Sequence, residues 1–306
     1  QWTDMSMPIP VVSRKCTEEE LQAYINDGFV RPFDPLGSEP LFRVEVVETE
    51  KDICLLSDGF HGIVDGMSFA PILTTAFATI FEGGSVEPQP YGLYQAAEDE
   101  VATFGTPLYQ RAKAYYAEKF AGKEMATLSL AQSGTIGQMG RYKAIVSRNV
   151  CDDWCSEHGV QPNLLFQAAF GHVMSVLTRQ EKVAYTTVNH GRMDKRLRSC
   201  VGMFVKTVPM LADAAPSQRV IDFVRSQRAE LMSTLRYGIY PFTHFCSDLQ
   251  MKHGVTFNFM AVANMEEYTM VDGVKTRAVQ PVRNETDSDL CVYIYLKDEN
   301  YEIRVR

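Results

Sequence analysis

Residues 40–84 constrain the fold more than any other stretch of this chain. PLFRVEVVETEKDICLLSDG reads as two strands, residues 41–48 and 52–57, rich in β-branched side chains and joined by a polar turn around Glu50 and Lys51. Past Phe60 and His61, from Gly66 on, GMSFAPILTTAFATIFEGG is strongly apolar, reads as a helix and is stopped by Gly83 and Gly84. A hairpin that hands the chain directly to an apolar helix predicts sheet packed against helix.

The same mixture recurs along the chain. TEEELQAYINDGF has a Thr17 cap, acidic first-turn residues and apolar positions at helical spacing, and residues 108–120 form a second helical stretch. Residues 121–140 are small and polar with no sustained apolar period, which places a boundary there. Beyond it RYKAIVS reads as a strand, NLLFQAAFGHVMSVLTR as a long helix capped by Asn163 after Pro162, and KVAYTTVN as a strand running into a polar loop. VGMFVKTVPML and GVTFNFMAVAN read as strands around the helix DFVRSQRAELMSTLRY, and DLCVYIYLKDENYEIRVR as two strands around a DEN turn. No repeat of solenoid length is present. The prediction is an α/β (α+β) protein of two lobes, residues 1–125 and 141–306, with 126–140 as linker.

Composition narrows the function. With 306 residues, 45% hydrophobic, the chain has material for one large or two moderate cores. A net charge of −8 without a run of basic residues argues against nucleic acid and against a polybasic membrane patch. No segment approaches the ~18 apolar residues of a membrane span, and the start lacks a signal-peptide pattern. The seven cysteines are widely spaced, several within apolar runs such as ICLL and LCVYIY, so they read as reduced and the protein as cytoplasmic. Cys151, Cys155 and His158 lack the second ligand pair of a zinc site, so no metal is expected. The chain opens at Gln1 within ordinary domain sequence, the expectation for a piece of a longer polypeptide.

Chemistry concentrates in FHGIVDGMS, where strand gives way to helix. His61 projects from a sheet end, and imidazole, with an unperturbed pKa of ~6.5, suits proton transfer near neutrality. Asp65 is close enough to fold back beneath the loop and fix its shape, and Gly66 permits a tight turn or close approach to a substrate. On these residues alone, a structural histidine with a capping Asp-Gly explains the pattern equally well.

The segment resembles the HHxxxDG signature of nonribosomal peptide synthetase condensation domains, and the shorter HxxxDG of chloramphenicol-acetyltransferase-like acyltransferases. Further similarities follow in the family's order: RPFDPLGSEPLFRVEVV before the hairpin, YYAEKFAGKEMATLSL leaving the first lobe, NHGRMDKRLRSCVGMFVKTVPM, YGIYPF and SDLCVYIYL. Together they cover residues 31–306. The resemblance implies two chloramphenicol-acetyltransferase-like lobes, each a mixed sheet with flanking helices, forming a V around a central substrate tunnel. It implies an acyltransferase that joins a carrier-bound acyl thioester to a carrier-bound amine, making a peptide bond. Substrates would arrive on the 4′-phosphopantetheine arms of carrier proteins, beside partner domains such as adenylation, with no cofactor bound covalently to this chain. His61 would be positioning group and base, Asp65 loop organiser, and Gly66 a backbone element near the thioester. A stand-alone or ester-forming acyltransferase using CoA or carriers, and a catalytically silent interaction domain, are the other readings.

Departures accompany the likeness. Phe60 replaces the first histidine of the doublet, and Lys206 stands where the family has Asn. The family's early Arg element, whose guanidinium pairs with the motif Asp, has no counterpart upstream of His61, so Asp65 is expected to lack that partner; the first lobe reads as incomplete and both ends as trimmed. Asn189 and Arg192, at a strand end, and Asn258 within TFNFM are candidates for substrate binding, against the commoner fates of solvated loop and satisfied backbone. His158, His172, His190, His244 and His253 read as structural, and Tyr293 and Tyr295, on one strand face, as packing.

Overall fold

A computed structural model describes residues 9–87, 89, 91–128, 140–252, 254–263, 269–271, 274–276 and 289–306. Its contacts group into two compact units, one of residues 1–96, 192–204 and 266–284, the other of 97–191, 205–265 and 285–306.

In the first unit β1 (Val11–Lys15) runs parallel to β2 (Phe42–Glu48), which forms an antiparallel hairpin with β3 (Ile53–Gly59). The hairpin turns where expected: Thr49 Oγ1 accepts the amides of Lys51 and Asp52. Helix α1 (Glu18–Tyr24) starts at a capping box in which Thr17 and Glu20 satisfy each other's backbone amides, and it continues as a π-helical turn, Ile25–Phe29. Its apolar face, Leu21 and Ile25, packs on Val47, Cys54 and Leu56 of the hairpin. After the His61 loop a π-helical segment, Ser68–Leu73, leads into α2 (Thr74–Phe81). Gly83, at φ 82°, ends α2 in the left-handed region that glycine adopts without strain. The unit's described residues end within α3 (Leu93–Ala102), apart from the returning segments.

The second unit is built on a six-stranded sheet. Its strands are β4 (Tyr142–Ser147), β5 (Lys182–Asn189), β6 (Lys206–Asp213), β7 (Thr256–Ala263), β10 (Cys291–Lys297) and β11 (Asn300–Val305), in the order β4-β11-β10-β7-β5-β6. The pairs β10–β7 and β7–β5 are parallel and the others antiparallel. The short β8 (Thr269–Val271) and β9 (Val274–Thr276) pair separately.

Strand alternation sorts side chains onto two faces. Val183 and Tyr185 join Phe170, Met174, Met210, Val224, Phe257 and Ile294 in one core with α5 (Arg148–His158), α6 (Pro162–Thr178) and α7 (Val220–Tyr237). Ala184, between them, joins Tyr116 of α4 (Pro107–Lys119), the cap residue Phe120 that follows it, and Phe245 of α8 (Phe242–Leu249) in another.

Helix α6 begins differently from its reading in sequence. Pro162 occupies the first helical turn and Gln161 is the cap residue, so Asn163 lies inside the helix. Proline there loses nothing, because a first-turn amide has no intrahelical acceptor. The linker assigned to 126–140 falls mostly on 129–139, outside the described residues. Within them the contacts divide the chain between Ala96 and Ala97 and return Arg192–Phe204 to the first unit, because that segment is bonded to Asp65.

Candidate active site

Strand β3 delivers the chain to a tight loop. The Phe60 amide donates to Leu41 O (2.9 Å), continuing the hairpin by one bond, and Ile63 N–H donates to Phe60 O (2.9 Å), closing a turn over residues 60–63. His61 occupies the second position of that turn and is exposed. Gly62 leaves room for the Phe60 ring, since a Cβ there would lie 2.5 Å from the Phe60 Cε1.

Asp65 is the loop's anchor, only 1% exposed. Its Oδ1 accepts from Ser68 N–H (2.9 Å) and from Arg192 Nη2 (2.8 Å), and its Oδ2 from Phe204 N–H (3.0 Å). The Asp65 amide donates in turn to Gly202 O (3.2 Å). Ser68 Oγ accepts from Arg192 Nη2 (2.9 Å) and Gly202 N–H (3.0 Å), with Asp65 Oδ1 and Gly202 O both in reach of its single proton. Burial alone pushes the Asp65 carboxyl up. The bonds from Phe204 N–H, Arg192 and Ser68 outweigh it and hold the pKa below the usual carboxylate value.

The cation expected to be missing is therefore supplied from downstream. Arg192 is 4% exposed, and its guanidinium also donates to Leu197 O (2.6 Å) and Cys200 O (2.7 Å) and lies over the Phe204 ring at 4.5 Å. Sequence placed Arg192 among substrate-binding candidates. The structure places its guanidinium beneath the loop, buried against Asp65 and Ser68.

The first unit thus brings His61, Asp65, Gly66 and Arg192 onto or beneath one loop, whereas Asn189 and Asn258 belong to the second. Asn189 Oδ1 accepts from Gly191 N–H (2.8 Å), an Asx turn at the end of β5 with Gly191 at φ 69°. Asn258 is half-buried in β7, beside Tyr293 of β10, on the face opposite Phe257 and Phe259. Gly66 does not have a left-handed φ, and a Cβ added to it would meet no atom within 4 Å, so neither turn geometry nor packing calls for glycine there. His253 lies outside the described residues.

Sequence reasoning missed Ser68, Gly202 and Phe204. Ser68 had a local signal, because an Asp three residues before a polar residue at a helical start is an N-cap pattern. Gly202 and Phe204 had none beyond their place in VGMF.

The family described as Condensation domain matches residues 4–305. The chain belongs to the condensation-domain family. Specifically it is a condensation domain of the nonribosomal peptide synthetase type, a family of acyltransferases with the chloramphenicol-acetyltransferase-like fold. Tyrocidine synthase 2 of Brevibacillus parabrevis is 28% identical over 261 residues, 82% of this chain and 7% of that protein. Bacitracin synthase 1 of Bacillus licheniformis is 22% identical over 303 residues, 94% of this chain and 6% of that protein. The condensation domain thus spans a small fraction of these relatives' length.

Among solved structures, the starter condensation domain of rhizomide synthetase is 17% identical with a TM-score of 0.77, over 98% of this chain and 72% of that one. The X-domain from teicoplanin biosynthesis is 15% identical with a TM-score of 0.77, over 98% of this chain and 74% of that one. At such identities the likeness is one of fold.

Among the described residues no three His, Cys, Asp or Glu side chains gather as a metal site, and no helix is long and apolar enough to cross a membrane. All seven cysteines are free thiols.

Proposed function

We propose that this condensation domain joins an acyl thioester donor to an amine acceptor, both carried on the phosphopantetheine arms of carrier proteins, within a cytoplasmic synthetase that also holds adenylation domains. One observation carries the reading: an exposed histidine on a short loop whose far end is fixed by a buried Asp65–Arg192 ion pair. A group so held can align an acceptor nitrogen with a thioester carbonyl, and alignment supplies several kcal/mol of the barrier.

His61 acts there as positioning group, and as acceptor of the proton that the nitrogen loses once it has attacked. A free α-amine has a pKa of about 8, so a useful fraction is neutral near pH 7 and a strong base is not required. A hydroxyl acceptor would lean on His61 much harder, because it must lose its proton during attack. The thioester carbonyl then lies near Gly66, where no side chain intervenes, and the thiol of the donor arm leaves. Asn189 and Asn258 are proposed as polar contacts to the substrates, secondary to the loop.

The test incubates the chain with an acyl-loaded carrier and an aminoacyl-loaded carrier, reading the mass of each intact. The acceptor carrier should gain the acyl mass, and His61→Ala should abolish or strongly slow the gain. Transfer from acyl-CoA alone, or only to a hydroxyacyl-loaded carrier, would replace this reading with that of a CoA-dependent or ester-forming acyltransferase. Carrier binding without turnover would favour the silent interaction domain.

A further inference from the structure

The segment RPFDPLGSEPLFR, prominent in sequence, has no part in the chemistry described so far, yet the fold wraps it around one side chain. Arg43, in β2, stands opposite Asp58 of β3. Its Nη1 donates to Asp58 Oδ2 (2.7 Å) and to Arg31 O (2.8 Å), and its Nη2 to Pro32 O (3.1 Å). The guanidinium lies 3.6 Å from the centre of the Phe33 ring. Asp34 then turns the chain, accepting Leu36 N–H on Oδ1 (2.9 Å) and Gly37 N–H on its carbonyl (3.1 Å). The side chains of Arg43 and Asp58 are 11% and 20% exposed, so this is a largely desolvated fork rather than a surface pair.

Its place in the hairpin gives it a consequence for the loop. One step beyond Arg43–Asp58 the strands pair Phe42 with Gly59, and the next hydrogen bond, Phe60 N–H to Leu41 O, is the last before His61. Phe42 stacks on Phe69 at 5.8 Å, and a Cβ on Gly59 would meet Val64 Cγ1 at 2.7 Å and the rings of Phe42 and Phe69 at 3.0 and 3.1 Å. The loop therefore leaves β3 across a floor with no spare volume. At its far end Asp65 is pinned by Arg192. Only residues 59–64 lie between the two clamped carboxylates, Asp58 and Asp65, and His61 is among them.

We propose that Arg43 is a positioning residue for His61: by locking Asp58 and residues 31–33 at the end of the hairpin, it fixes the near end of the loop that Arg192 fixes at the far end. The inference rests on His61 as the reacting group. Its role differs from that of Arg14, whose bond to Glu45 joins β1 to β2 in the same sheet away from the loop.

Arg43→Met and Arg43→Lys are compared with wild type and with Arg14→Met as a control for sheet stability. The first readout needs no turnover: histidine-selective NMR signals of His61, and the rate at which diethyl pyrocarbonate modifies His61, resolved from the other five histidines by peptide mass. Arg43→Met should shift or broaden the His61 signals and change its modification rate severalfold, while Arg14→Met leaves both unchanged. With loaded carriers, Arg43→Met should lower kcat by roughly tenfold to a hundredfold with little change in KM.

Lysine keeps the charge but loses the fork and the ring contact, and should fall between. Should the methionine variant fail to fold, the lysine variant decides by the same readouts. Wild-type His61 signals and reactivity in the folded Arg43 variants would overturn the proposal, whatever their loss of melting temperature. If the wild-type chain transfers nothing, the catalytic reading fails while the His61 measurements still decide whether Arg43 sets the loop.

Discussion

Replacing Asp65 by Asn tests the loop anchor with a change of almost no volume. The carboxylate uses both oxygens: Oδ1 toward Arg192 and the Ser68 amide, Oδ2 toward the Phe204 amide. An Asn side chain has one oxygen and one NH2, so in either orientation a donor faces a donor. With the NH2 toward Phe204 one buried amide loses its acceptor, and with the NH2 toward Arg192 the guanidinium does. In both cases the buried Arg192 charge loses its counter-ion, and breaking such a pair by removing one partner costs about 3–5 kcal/mol. Equilibrium urea unfolding followed by fluorescence should show a loss of that size in the transition assigned to the first unit. Asp65→Leu combined with Arg192→Met should recover only part of it, because Leu197 O and Cys200 O lose the donor that Arg192 gives them. A loss below about 1 kcal/mol for Asp65→Asn would refute the reasoning, since that is the range of a solvated surface pair.

The other expectations are smaller in size and separable. Gly66→Ala meets no atom within 4 Å and no left-handed φ, so it should leave stability unchanged or raise it by about 0.4–1 kcal/mol through the unfolded chain, while slowing acyl transfer; transfer at the wild-type rate would remove Gly66 from the neighbourhood of the thioester. Because hydrogen bonds hold the Asp65 pKa below its unfolded value of ~3.9, the stability it contributes is complete above that value and is lost as pH falls through the lower, folded value. Unfolding measured from about pH 6 to about pH 2 should show this acid slope, and Asp65→Asn should flatten it. Asn189→Ala removes the acceptor of Gly191 N–H and should cost about 0.5–1.5 kcal/mol; a KM for loaded carriers unchanged in this variant would leave Asn189 the turn alone.

Local signals made most of the elements legible. The hairpin of β2 and β3 announced itself through β-branched runs either side of a polar turn, and α1 through Thr17 and Glu20. Helix α5 went unread because its buried positions are Cys151 and Cys155, four apart in RNVCDDWCSEH, and thiols among charged and histidine side chains make a faint apolar stripe. Strand β1, VVSRK, is five residues long with both of its valines exposed, so alternation had nothing to mark. The order of the six-stranded sheet, in which β4 pairs with β11 and β10 with β7, depends on pairings between distant segments that no window of sequence contains.

The same distinction runs through the site. His61, Asp65 and Gly66 are legible because they sit within six residues, and their spacing is itself the motif. The bond that gives Asp65 its role crosses 127 residues to Arg192, and neither residue's neighbours in sequence report it. A cation sought upstream of His61 is not found there, which leaves Asp65 unpaired on sequence alone. The physical requirement is sound, because a carboxylate 1% exposed must be paired or hydrogen-bonded. Burial of Asp65 and of Arg192 are two statements of one constraint. The donors that a buried loop carboxylate requires thus come partly from segments distant in sequence, here Phe204 N–H and the arginine of the GR after β5, which reads as a solvated strand end.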